Sequence, residues 1–382
     1  MSDQIKVNPE IGEEIKEAEV NQSYLSLVWW KFKKNKLAIV GGIIVLLFYV
    51  VCFFFAEFFA PYQLHETKEY FKAPPQMLRF VDEEGNFSLR PFVYGLDETI
   101  DMELRLRTYE INTDVKYNIH LFVPGDEPYK LLGLIPANIH LFGADPNVEG
   151  SEMFLFGTDS LGKDLFSRII YGGRMSLWIG LLGQMLTMIL GVSLGAISGY
   201  YGGVTDVVVQ RLTEFVAAFP DIPLFIALAA AIPVNWSPQM IYLMLTLILV
   251  FIRWGGLARQ VRGLILSLRE REYVLAAKSA GATDRRIMFK HLVPGTMSHV
   301  IVIGTLMIPG MILSETALSW LGLGLRPPLT SWGVLLQEVS NVRSIRFYPW
   351  LLIPVPFVIF AILAFNMLGD GLRDALDPYG GR

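Results

Sequence analysis

The chain has 382 residues, of which 53% are hydrophobic and only 18% charged, a balance that leaves too little polar surface for a soluble protein of this length. The expected solvent is therefore a bilayer, and a formal net charge of −4 speaks against nucleic acid as a partner. A single cysteine, Cys52, excludes both an intrachain disulfide and a cysteine metal cluster.

A hydrocarbon core about 30 Å thick needs roughly 20 apolar residues in helical form. The N-terminal tail, residues 1–36, is acidic before Tyr24 and reads as a mobile or surface-lying helix. The first apolar run, Leu37 to Ala56, starts too late for a signal peptide and lacks a small-residue cleavage site, so it is read as a retained span covering 37–60. Residues 61–173 then form an external insert with an interfacial segment at its end. Within it, Met102 to Ile111 begins with strand-like alternation. The stretch VKYNIHLFVPGDEPYKLLGL offers a second strand, a turn at Pro124-Gly125-Asp126 and a third strand. With no disulfide, this insert is expected to lean on the membrane part or on a partner. Residues 174–371 form the membrane core. Its spans run from Met175 to Tyr201, about Val207 to Ile232, about Gln239 to Trp254, about His299 to Leu323 and about Trp350 to Leu368. The tail is 372–382.

Basic residues fix the orientation. Lys31, Lys33, Lys34 and Lys36 precede the first span and place the N-terminus in the cytoplasm, and six crossings return the C-terminus there. The loop 260–298 is then cytoplasmic and holds seven Lys/Arg against three Asp/Glu, whereas 61–173 holds ten against eighteen. The two counts point to the same topology.

Several chemistries are excluded by pattern. The histidines His65, His120, His140, His291 and His299 make no HxH or HExxH spacing. GTDSLGKD, Gly157 to Asp164, is one residue short of a phosphate loop, puts Asp164 where a magnesium-binding hydroxyl belongs and lies on the external side. It is better read as an amphipathic lead-in to the second span that ends at Arg174. No GxSxG occurs, and Leu368-Gly369-Asp370 lacks the first glycine of a GxGD protease motif. No metal or cofactor is expected. Charged residues inside spans must face protein or water, because a central carboxylate costs about 2.5–3.5 kcal/mol on insertion scales. Glu214, Asp221 and Glu315 are thus candidate pore-lining groups that would attract an amine or a cation. The bland alternative is that Asp221, in FPDIP, and Glu315 only satisfy polar groups between helices. Pro220, Pro223 and Pro309 favour the pore, since broken helices are tolerated where they line a cavity.

Residues 272 to 294, EYVLAAKSAGATDRRIMFKHLVP, form a polar elbow between the fourth and fifth spans. Good helix formers run from Arg271 to Ala280. Gly281 suits a helix end that needs positive φ, Thr283 caps a second helix with Asp284 in its first turn, and Pro294 is expected to stop it. Ala276, Ala277, Ser279 and Ala280 are small and permit close approach of another surface. An ordinary amphipathic loop would look much the same.

This stretch resembles the "EAA" loop of the membrane subunits of ATP-binding-cassette importers, a Glu-Ala-Ala followed after three residues by glycine and after nine more by Ile-x-Leu-Pro. Ala276, Ala277, Gly281 and Pro294 stand at the family's spacing, while Leu275, His291 and Val293 replace its Glu, Ile and Leu. Glu272 and the REREYVLAA form look like the peptide-permease branch, its C-type subunit. So do FGTDSLGKDLFSRIIYGGRMSL, LSETALSWLGLGLRPPLTSWGVLL (Leu313 to Leu336) and the C-terminal NMLGDGLRDALDP. The likeness covers the first span and about residue 154 to the end. The segment from about His65 to Ser151 is longer than in most members.

The resemblance implies an all-α polytopic membrane protein, with the six transmembrane helices of the type I importer fold plus a small β-containing insert. It implies a non-catalytic transport subunit that pairs with a second, similar permease. Two ATPase subunits would dock on the elbows, the coupling helices, with Glu272, Ala276, Ala277, Gly281 and Pro294 at the contact. An external binding protein would deliver oligopeptides or dipeptides. Oligosaccharide or nickel-complex cargo stays open, as does a secondary transporter that works alone, although no internal repeat supports the latter.

Overall fold

The computed structural model describes residues 24–102, 106–131, 134–148, 150–233, 235–325 and 328–377. The tail before Tyr24 lies outside them. Helix α1 (Tyr24–Lys34) leads into α2 (Lys36–Phe48), capped by Asn35, whose side chain accepts from the Ala38 N–H. A wide π turn, Tyr49–Phe54, extends α2 to a span of Lys36–Phe54, and a short α3 (Ala56–Phe59) follows.

Helix α4 (Leu165–Tyr201) is 37 residues long, about 55 Å at 1.5 Å per residue. It starts ten residues before the expected second span, so the lead-in proper ends at Asp164 and Arg174 lies inside the helix. The reason is visible in the loop before it. Asp159 accepts from the backbone N–H groups of Leu161 and Lys163 at 2.7 and 2.9 Å, so a side chain of the protein itself occupies the place an anion would take. Asp164 then caps α4 by accepting from the Ser167 N–H and hydroxyl, both at 2.7 Å. Burial nevertheless pushes its carboxyl up to about 7. The Arg168 guanidinium bonds Asp159 and reaches Glu338 Oε1 at 3.1 Å, while the Ser160 N–H donates to Glu338 Oε2 at 3.0 Å. The phosphate-loop look-alike is a latch between the start of α4 and the segment 328–348.

The expected third span is not one helix. Helices α5 (Gly203–Ala217) and α6 (Asp221–Ala230) meet at 87°. Pro220 has no N–H to donate and holds Phe219 away from helical backbone. Helix α7 (Pro238–Leu268) begins at Ser237, whose hydroxyl accepts from the Met240 N–H, and runs well past the expected end at Trp254. The elbow helix α8 (Glu272–Ser279) and the long α9 (Asp284–Trp320) follow. Two short helices, α10 (Trp332–Gln337) and α11 (Val342–Phe347), precede α12 (Pro354–Leu376), which with its initial 3-10 turn forms the last span, Pro349–Leu376. Among the described residues five helices are long and apolar enough to cross a membrane, and the bent α5–α6 pair makes a sixth if it counts as one span.

The packing of α4 on α7 rests on a ladder the sequence spells as GVSLGAISG. A Cβ on Gly191 would stand 2.9 Å from Leu257 Cβ, one on Gly195 2.5 Å from the Ala258 carbonyl oxygen, and one on Gly199 2.8 Å from that of Arg262. Small residues every fourth position let two backbones touch where lipid offers no hydrophobic drive for association.

Residues 79–144 build a four-stranded antiparallel sheet in the order β1 (Arg79–Val81), β2 (Phe87–Asp101), β3 (Leu106–Leu131), β4 (Ile135–Ala144). Of the stretch Met102 to Ile111, Leu106 to Ile111 opens β3 and residues 103–105 lie outside the described residues. One local expectation changes. Pro124-Gly125 is not a turn: β3 carries on through it, pairing Pro124 with Ile139, and the register slips between Pro124 and Tyr129. A bulge tolerates a proline, which cannot donate to the ladder. The sheet rests on the helical part. Val93, Ile119 and Met153 form its small core, Phe142 stacks edge-on against Phe166 of α4, and the His140 ring lies 2.8 Å from the Glu57 carbonyl oxygen of α3. Arg174 grips Glu57 with both guanidinium arms at 2.6 and 2.7 Å, tying the first span to α4.

Candidate functional site

The elbow is built by capping. Gly281 has φ +78°, the left-handed conformation that ends α8, and the Ala282 N–H reaches back to the Ala277 carbonyl at 3.0 Å. Thr283 accepts from the Arg286 N–H and starts α9. One side of the elbow is anchored: Val274, Ile287, Met288 and Leu292 are buried in a cluster with Leu257, Val261 and Ile265 of α7. The Tyr200 hydroxyl donates to Asp284 at 2.6 Å, and Arg269 donates to the Gly199 carbonyl at 3.0 Å, so both ends of the elbow are fastened to α4.

The other side is open. Glu272, Ala276, Gly281 and Pro294 are exposed, and Ala277 is half-buried against the anchoring cluster. Tyr273, Leu275 and Phe289 expose large apolar side chains on the same element, among the basic residues Lys278, Arg285, Arg286 and Lys290. Nothing lies within 4 Å of where a Gly281 side chain would begin. Such a face, apolar with a basic surround, is suited to a partner rather than to water.

Pro294 does not end the second arm. A π turn at Ile287–Leu292 widens the helix just before it, so the proline falls in the first turn of a renewed α-register, where its missing N–H is not needed. The arm is continuous with the rest of α9.

The three candidate charges separate. Glu214 of α5 is exposed and pairs with Arg211 at 2.7 Å, one turn away. Glu315 is buried and is not among the residues that line the cavity beside Asp221. It accepts from the hydroxyls of Ser331 at 2.5 Å, Ser319 at 2.7 Å and Ser176 at 3.1 Å, which joins α4, α9 and the start of α10. Removing the acceptor strands three buried hydroxyls, so Glu315→Ala is expected to lower stability by roughly 2 kcal/mol or more, whereas Glu315→Gln keeps one acceptor and is expected to cost less than about 1 kcal/mol. Thermal unfolding of the purified chain in detergent reads the difference.

Asp221 alone meets a cavity. About 390 Å³ opens between α6, α7 and α9, walled by Phe225, Leu249, Ile252, Leu313 and Leu318, with Asp221, Arg253 and Ser314 as its polar groups. Arg253 Nη2 is 3.0 Å from the Ser314 hydroxyl and 3.7 Å from Asp221 Oδ2. Sequence reading passed over this arginine because it stood at the edge of the expected span, Gln239 to Trp254; only the full length of α7 puts it far from either helix end.

A family model described as "Binding-protein-dependent transport system inner membrane component" matches residues 191–379, and one described as "N-terminal TM domain of oligopeptide transport permease C" matches residues 23–75. The chain is 40% identical over 224 residues to the oligopeptide transport system permease protein OppC of Bacillus subtilis (strain 168), covering 58% of this chain and 71% of that protein. It is 32% identical over 366 residues to the dipeptide transport system permease protein DppC of Lactococcus lactis subsp. cremoris (strain MG1363), covering 93% and 91%. The glutathione transport system permease protein GsiD of Pectobacterium atrosepticum is 40% identical over 223 residues, 58% of this chain and 71% of that one.

Proposed function

Because the chain belongs to the family of binding-protein-dependent transport system inner membrane components, we propose that it is one membrane-spanning half of an importer for oligopeptides or dipeptides. The observation that carries the reading is the elbow: a short helix fixed to α4 and α7 on one side and presenting apolar, basic and small residues on the other. Closure of ATPase subunits around that face would move α9, to which the second arm is joined. Glu272, Ala276, Ala277, Gly281 and Pro294 are the proposed contact residues.

In this reading 260–298 and both tails, 1–36 and 372–382, are cytoplasmic. The sheet within 61–173 is extracytoplasmic, and the bent α5–α6 pair serves as the third of six spans. A second, related permease completes the pathway, two ATPase subunits supply the energy, and an external binding protein delivers the cargo. Asp221 is the pore-lining carboxylate; Glu214 and Glu315 serve the surface of α5 and the α4–α9 contact instead.

Isolation of the chain from its native membrane in mild detergent is expected to bring with it a second permease and two ATPase chains, identified by mass spectrometry. Recovery of the chain alone, or only as a homodimer, would overturn the assignment and favour a transporter that works unaided.

A further inference from the structure

Arg253 differs from the other helix-borne arginines that hold the fold together. Arg174 and Arg262 each clasp one carboxylate through two nitrogens, at 2.6–2.7 Å to Glu57 and 2.6 Å to Asp206. A guanidinium carries five donors in a planar fork shaped for such an acceptor. Arg253 uses one of them on a neutral hydroxyl, and its carboxylate stands off at 3.7 Å, beyond hydrogen-bond reach. The Arg253 side chain is 36% exposed and that of Asp221 58%, so neither is sealed.

A cation within a span persists where it faces a water-filled path or a partner charge. Here the path is the cavity between α6, α7 and α9, and its other walls are apolar. Apolar walls lower the local dielectric and strengthen the bond to any anion that reaches the fork. Asp221 is held where it is by the break at Pro220, which starts α6 at that residue. The pair is therefore a preformed but unclosed ion pair facing open volume.

We propose that Arg253 docks the carboxylate of the cargo during passage, with Asp221 as the resting counter-ion that the cargo carboxylate displaces. This rests on the importer reading above and adds to it a chemical class: molecules with a free carboxylate, such as a peptide C-terminus. The cavity, at about 390 Å³, falls at the lower end of the ~300–1,000 Å³ typical of small-molecule sites, so one peptide end fits rather than a whole long peptide.

The test uses the complete transporter, reconstituted with its partners and binding protein in proteoliposomes. Uptake of trialanine and of its C-terminal carboxamide is measured, each relative to the wild-type complex. Arg253→Gln is expected to lower trialanine uptake about tenfold or more, the scale of a charge-assisted pair, while carboxamide uptake stays within about twofold. Subunit recovery is expected to be unchanged. Arg253→Lys, which keeps the charge without the fork, is expected to fall between, and it carries the test if the glutamine variant does not assemble. Equal losses for both peptides would make Arg253 a structural residue, and no loss would remove it from the path. Loss of the second permease from the variant complex would make the cavity a subunit contact. Each of these overturns the proposal while leaving the importer reading in place. A wild-type complex that recruits ATPases but takes up no peptide would overturn the cargo reading itself.

Discussion

A chain carrying Gly281→Trp is expected to reach the membrane and fold, yet to lose its ATPase partners on purification. The expectation follows from two features of one position. Its φ of +78° is left-handed, which costs an L-residue about 1–2 kcal/mol. Among the described residues nothing lies within 4 Å of its Cβ position, so the indole starts out into open space. The damage must then fall on whatever seats against the elbow. Gly281→Ala separates the two effects, since it brings the strain without the bulk, and is expected to keep most of the ATPase. Normal ATPase recovery and peptide uptake by the tryptophan variant would show that the elbow is not the coupling face.

Gly195→Leu is expected to push the two closely packed helices, α4 and α7, apart. A Cβ there would lie 2.5 Å from the Ala258 carbonyl oxygen and 2.9 Å from Val261 Cβ. The first obstacle is backbone, so no rotamer change relieves it and α4 must move off α7. Overpacking of this kind costs about 3 kcal/mol or more. The seam also carries the elbow anchors, since Leu257, Val261 and Ile265 belong to both contacts. Folded yield and thermal unfolding in detergent should both collapse. Gly256→Leu is the control on the same α7: nothing lies within 4 Å of its Cβ position, and it is expected to be tolerated. If the two variants unfold alike, the glycine ladder does not hold the helices together.

The elbow was largely legible because capping is local chemistry. Gly281 and Thr283 act through their own backbone and their nearest neighbours, and they stand where the spacing put them. Pro294 was misleading because its effect depends on the turn before it. The π turn at Ile287–Leu292 has no strong signature in IMFKHL, and it changes a stop into a start. The proline-glycine pair in β3 misled for a similar reason, as the long ladder on both sides outweighs a local turn preference. Glu315 and Asp221 looked alike in sequence, each a carboxylate in an apolar run. What separates them is three serines for one, Ser319 a turn away and Ser331 and Ser176 brought in by other elements, and an open cavity for the other. The glycine ladder was in plain view within span two, but reading that run only for its hydropathy hid the spacing.

The continuity of α9 through the π turn also sets how force travels. The second arm and the fifth span are one rod, Asp284–Trp320. Along the backbone the first arm is joined to α7 by Arg269–Arg271, a non-helical link between Leu268 and Glu272, while Val274 packs against α7 from the side. One side of the elbow is therefore welded and the other hinged. In the proposed importer a torque applied at the elbow would pass into α9 along one continuous backbone, whereas it would reach α7 through the link and the packed cluster. The mouth of the cavity between these two helices would widen or narrow with any difference between the two, as the jaws of a wrench do when only one handle is driven.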